Sequence, residues 1–522
     1  MFIVPADNYR FPDSLMHPPV MAIGDSMYNG MRSATINREF AAKSVPALVA
    51  RALAPDSDFR SPLYPEVLLL DLEQTLRDLD LGDLVSRLRH RLGAAMANAR
   101  RWADNVHVVK TDHAAWDNIS LSGAVIEDVT ERSFDYWDQK IAALRPLLDQ
   151  IASLDDLGKS GIDIMDLHMG LNARFLNNPN RRPELNALRP IDLVAARQPK
   201  LLLVNLGSNH GIIDITLGGS ESPRRRDLDT GLRSLAAWAD AMAGVAELLV
   251  DLPPATEKIV VNTVVLPSTV PNLMYPYNPR EIYAGELRKK KGYYPVYDNR
   301  LGGLDDYTQY SAAEMRDIDK AVTAINELMM ARMQAVFDAA GDTRLRFFRI
   351  DERLKAYDAK HDDRKAVRRN TSGARLEFPR RRYGNEAIDF DNFFLFDVLD
   401  GFRQGGVASL DNHHPSGLGY TILARELLKF LKREDPSIKL KSLMISENGD
   451  RLFSDEPAEY ATIVRILYRL RRRRAGYSRE PDLAEARGEE LGREAPILTM
   501  TNEEREVATY MDVIEHILRK AR

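Results

Sequence analysis

Apolar residues in this chain fall into short unbroken runs separated by longer stretches of helical period. Residues 19–24 (PVMAIG), 118–122 (NISLS), 200–206 (KLLLVNL), 259–266 (IVVNTVVL) and 345–350 (LRFFRI) read as strands, each closed by a turn signal or a polar segment, with 118–122 ending at Gly123. Between them, 65–105, 232–249 and 312–340 repeat apolar positions every three or four residues, the pattern of amphipathic helices. Runs that are apolar throughout suit strands covered on both faces. Strand alternating with helix predicts an α/β fold around a mostly parallel sheet.

Two long segments interrupt that alternation. Residues 267–310 hold eight of the 19 tyrosines, including Tyr275, Tyr293, Tyr294 and Tyr310, and 351–410 is basic at first and aromatic later. Loops of such length are functional or disordered, and aromatic enrichment favours order. The predicted organisation is a catalytic unit over 1–432 with inserts at about 65–105, 267–310 and 351–410, then a helical extension over 433–522. No internal repeat is visible.

Composition narrows the function classes. With 72 Lys and Arg against 77 Asp and Glu, the net charge of -5 argues against bulk attraction to nucleic acid. Cysteine is absent, which excludes disulfides and thiolate metal sites. No apolar run approaches the ~20 residues of a membrane-spanning helix. The N-terminal residues lack the basic start and apolar core of a secretory signal, so the chain as given reads as cytoplasmic.

The chemistry-bearing residues cluster where the predicted strands end. Ser26 sits in a Gly-Asp-Ser turn after the first strand, where a serine hydroxyl is exposed at the carboxyl edge of a parallel sheet. An activated serine needs an imidazole to take its proton and a carboxylate to orient that imidazole. Asp411 and His414, three residues apart in DNHHP, supply both types. Gly123 and Gly207-Ser208-Asn209 follow two further strands, and a glycine N–H or an Asn amide suits a developing oxyanion. Each segment alone reads as an ordinary turn or cap; their shared placement at one sheet edge raises the weight of all.

Taken in order, these blocks resemble those of the SGNH hydrolases, the GDSL esterases and lipases. Gly24-Asp25-Ser26 is similar to the first block, NISLSG ending at Gly123 to the second, Gly207-Ser208-Asn209 to the third, and Asp411 to Pro415 to the last. The resemblance implies a three-layer α/β/α sandwich of flavodoxin-like type with about five strands, enlarged here by insertions. It also implies Ser26 as nucleophile, His414 as base and Asp411 as its acid. The oxyanion donors would be the Ser26 N–H, the Gly123 N–H and the Asn209 amide. No cofactor or metal is required.

Two departures stand out: the third block normally continues with Asp, where this chain has His210, and His413 is a rival base beside His414. Arg224, Arg225 and Arg226 after the third block, with a second basic cluster over 364–382, suggest an anionic or lipid-like ester; a solvated charged loop is the plainer reading. His210 has the same two readings, pocket lining or surface. An arginine-rich helix near 463–474 allows peripheral contact with a membrane, although packing on its own domain is the plainer reading. The predicted partner is thus a small-molecule or lipid ester, not a nucleic acid. An acyltransferase with the same triad, or a silent lipid- or protein-binding module, fits the same residues.

Overall fold

The computed structural model describes residues 11–68 apart from Ala34, then 84–104, 115–151, 164–217, 228–270, 310–355 and 413–443, plus isolated positions and strand fragments between them. Four strands, β1 (Val20–Gly24), β2 (Leu201–Asn205), β3 (Lys258–Asn262) and β4 (Leu345–Phe348), form one parallel sheet in that order. Every residue of β1 and β2 is buried, as is all of β3 after Lys258, which is why these strands are apolar without alternation.

The expected strand at 118–122 is reduced to a single parallel bridge between Asn118 and Ala22. Backbone bonds from Ala22 N–H to Asp117 O, Ile119 N–H to Ala22 O and Leu121 N–H to Gly24 O still lay it along β1 at 2.8–2.9 Å. Polar side chains explain the irregularity. Asn118 donates to the Tyr28 carbonyl at 2.6 Å and accepts from the Ser120 N–H at 3.2 Å, so its amide competes with a regular ladder.

The helices follow the predicted periods. They include α1 (Ser26–Asn29), α2 (Val45–Leu53), α3 (Leu84–Ala103), α4 (Phe134–Gln150), α5 (Ile164–Asn177), α6 (Pro190–Arg197), α7 (Leu228–Val250), α8 (Ala312–Ala339) and α9 (Gly417–Glu434). α7 packs along α8, and α2 packs along α9 and touches β1. In α7, Leu235, Trp238, Met242, Val245 and Leu249 are buried at three- and four-residue spacing.

A buried ion pair ties the outer segments together. Arg197, at the end of α6, donates to Asp117, to the Trp116 carbonyl at 2.7 Å and to the Leu15 carbonyl at 3.0 Å. Asp117 also accepts from the Arg60 N–H at 2.8 Å.

Of the predicted inserts, 267–310 shows a three-stranded antiparallel fragment in which Met274 pairs with Tyr294 and Tyr293 with Tyr310. Short hairpins mark 351–410. Residues 444–522, and with them most of the predicted extension, lie outside the described residues. No helix among the described residues is long and apolar enough to cross a membrane.

Candidate active site

The nucleophile candidate is set by the way β1 ends. Gly24 has φ +151°, and a Cβ there would stand 2.2 Å from the Asn205 carbonyl oxygen, so only glycine lets β1 and β2 close up at this point. The Asp25 N–H then donates to that carbonyl at 2.8 Å, and the Asp25 carboxylate caps α1 through the Met27 N–H at 3.1 Å. Ser26 is therefore the first residue of a short helix standing on the carboxyl end of a buried strand. It is 8% exposed and lines a cleft.

That cleft encloses about 750 Å3 including its open mouth. Ser26, Ser208, His413 and His414 supply its polar edge, and Ile212, Val265, Val270, Leu354, Ile422 and Leu423 are among its apolar walls. No lysine or arginine is among the described residues that line it. Ser26 and His414, 388 positions apart in the chain, thus share one cavity. Three bonds hold their segments together: the Ser33 N–H to Ser409 Oγ at 2.9 Å, the Ser409 N–H to the His414 carbonyl at 2.8 Å, and the Tyr420 hydroxyl to the Met31 carbonyl. Ser416 caps α9 through the Gly419 N–H at 3.1 Å, two residues beyond His414.

Both histidines reach the cleft, with rings crossing edge to face at 5.2 Å between centroids. Asp411, the expected orienting acid, lies outside the described residues, as do Arg224, Arg225 and Arg226.

The two candidate oxyanion loops are stitched to each other and to α1. Asn209 Nδ2 donates to the Ala124 carbonyl at 2.9 Å, beside Gly123, which has φ +85°. That bond takes one of the two amide hydrogens. His210 Nε2 accepts from the Ile126 N–H at 3.1 Å, and burial pushes its imidazole below the usual range, which suits a neutral acceptor. Its position is thus at the start of the helix Ile126–Thr130 that follows Gly123.

Asn29, at the end of α1, donates to the Ser120 carbonyl at 2.7 Å and to Tyr64 Oη at 3.3 Å, and accepts from Ser122 Oγ at 2.7 Å. Tyr64 passes the link to Asn172 on α5 at 2.7 Å. Gly207 (φ +131°) brings the third loop against Trp238: a Cβ would meet the indole at 2.7 Å and Val264 at 2.4 Å.

Sequence reasoning missed a buried polar chain beneath these loops. The Tyr28 hydroxyl donates to Asn262 Oδ1 (3.0 Å), Asn262 Nδ2 to Asn205 Oδ1 (2.7 Å), and Asn205 Nδ2 to Asp25 Oδ1 (2.6 Å). A visible signal existed: the runs KLLLVNL and IVVNTVVL each carry an asparagine, a residue that sheets disfavour. Burial pushes the Asp25 carboxyl up to about 6, against the opposing pull of Met27, Asn205, Ser208 and the charge of His414. His168, on α5 one turn before Asn172, is likewise buried, and its imidazole is pushed down to about 4 by burial and by His414.

Among the described residues no three of His, Asp and Glu cluster as around a metal ion. Comparison of the chain with protein-family models, with curated proteins and with solved structures found no match.

Proposed function

We propose that this protein is a serine hydrolase of carboxylic esters, acting through an acyl-enzyme on Ser26. The supporting fold reading is the three-layer sandwich of the SGNH hydrolases, with segment 117–121 as a degenerate fifth strand. The single observation that carries the reading is that Ser26, capped at a strand end, shares one apolar cleft with His414.

In this reading His414 takes the Ser26 proton as Oγ attacks the ester carbonyl. The Gly123 N–H, the Ser26 N–H and the second hydrogen of Asn209 Nδ2 meet the oxyanion. The proton passes to the departing alcohol, and water then attacks the acyl-enzyme with His414 again as base. Apolar walls at Ile212, Val265, Ile422 and Leu423 suit the hydrocarbon part of an acyl group better than a charged one.

Replacing Ser26 with Ala removes the attacking oxygen and leaves the Asp25 cap in place. Ser26→Ala is expected to abolish p-nitrophenyl ester cleavage and fluorophosphonate labelling with an unchanged melting temperature. Retained turnover in that variant overturns the proposal.

A further inference from the structure

Asp25 stands where α1 and the carboxyl ends of three strands meet. Its Oδ1 accepts from both the Met27 N–H (3.1 Å) and Asn205 Nδ2 (2.6 Å). Through Asn205 and Asn262 the chain of bonds crosses the ends of β2 and β3 and returns to α1 at Tyr28. All four members are buried, Asp25 and Tyr28 to within 1%.

Geometry alone does not call for an acid here. An asparagine would offer the same Oδ1 to the same two donors, and it caps a helix as well as aspartate does. It would also avoid the cost of removing a carboxylate from water, which two neutral donors do not fully offset. What asparagine lacks is the charge.

That charge lies directly behind the cleft. Ser26, its covalent neighbour, and Ser208, on the turn after β2, both line the cavity that His414 lines. Tyr28 on its own helix and His414 on the segment leading to α9 both feel the charge of Asp25, and the buried His168 of α5 in turn faces His414. β2 and β3 present only the amides of Asn205 and Asn262, and the turn after β2 presents Ser208.

We propose that Asp25 is a positioning residue whose negative charge favours the imidazolium that His414 becomes on taking the Ser26 proton. The proposal rests on the ester-hydrolase reading above. Asp25 exchanges no proton with substrate: the proton moves from Ser26 Oγ to His414 and on to the leaving alcohol, while Asp25 stays ionised. Because its carboxyl is held up near pH 6, the assistance is present above that pH and fades below it.

The test compares Asp25→Asn with wild type, and with Asp25→Ala as the variant that also loses the cap. Asp25→Asn is expected to lower kcat about tenfold with KM within about twofold. The His414 imidazole titration, followed by NMR, should move to lower pH, a readout that does not need turnover. A lowered kcat with an unmoved His414 titration assigns Asp25 to packing and overturns the proposal, as does an Asp25→Asn enzyme equal to wild type. The outcomes separate cleanly. If wild-type Ser26 ignores a fluorophosphonate, the hydrolase reading itself falls; if it labels and Asp25→Asn changes nothing, only the role of Asp25 falls.

Discussion

Buried titratable side chains give the site two opposing pH responses. Asp25 has its carboxyl raised from 3.8 to about 6, so the folded state holds the proton more tightly than the unfolded chain does. Its contribution to stability is therefore greatest below about 4 and is lost as pH rises through 6, a change of about 3 kcal/mol. His168 is the reverse case, lowered from 6.5 to about 4, so its contribution is present above 6.5 and is lost as pH falls through 4. Urea melts between pH 4 and 8 check both signs. His168→Leu should resist acid better than wild type, and Asp25→Asn should lose stability more steeply on acidification; the opposite order contradicts these assignments. Gly24→Ala belongs to the same scale. Its Cβ would sit 2.2 Å from the Asn205 carbonyl at φ +151°, so a loss of about 3 kcal/mol or more and loss of probe labelling are expected. Ser26 and Gly123 were legible as residues at strand ends. The pairing of Asn205 with Asn262 was not, because an asparagine in a strand looks the same in sequence whether it faces water or another asparagine.

Elements place those residues, and their ends matter most. α1 is only four residues long and is held at one end by Asp25 and at the other by Asn29, whose amide spans Ser120, Ser122 and Tyr64. The helix is fixed by these ends, since one turn cannot sustain itself. The histidine segment leads into α9, whose first turn Ser416 caps. Ser416→Ala should cost about 1 kcal/mol, measured by chemical denaturation. A larger effect applies to Arg197 at the end of α6. Arg197→Ala leaves Asp117 buried without its cation, and a loss of about 3–5 kcal/mol is expected. Helix periods at 232–249 and 312–340 predicted α7 and α8 to within a few residues at each end. The strand at 118–122 was over-read, because Asn118 and Ser120 spend their polar groups on side-chain bonds that interrupt the ladder.

Across the whole molecule, the cleft draws its walls from five distant parts of the chain: the turn after β1, the loops after β2 and β3, the helix Ile350–Lys355 and the start of α9. Leu354 stands on it only partly buried, so Leu354→Trp narrows the cavity without overpacking the core. A series of p-nitrophenyl esters should then show kcat/KM falling about tenfold for octanoate relative to acetate. An unchanged chain-length profile would place the acyl group elsewhere. The sequence by itself determined the α/β class, the position of each core strand and the residue types at the strand ends. These follow from local rules, since an unbroken apolar run marks a doubly covered strand and a glycine-bearing turn must follow it. Only the tertiary structure decided that Ser26 and His414 share a cavity, that His210 accepts a backbone bond beside Gly123, and that Asp25 anchors a buried chain of amides. Each of those joins residues 57 or more positions apart, and nothing in local spacing specifies which polar group will meet which. The serine in a turn was readable; the buried bonds of the carboxylate behind it formed only when three strands brought their ends together.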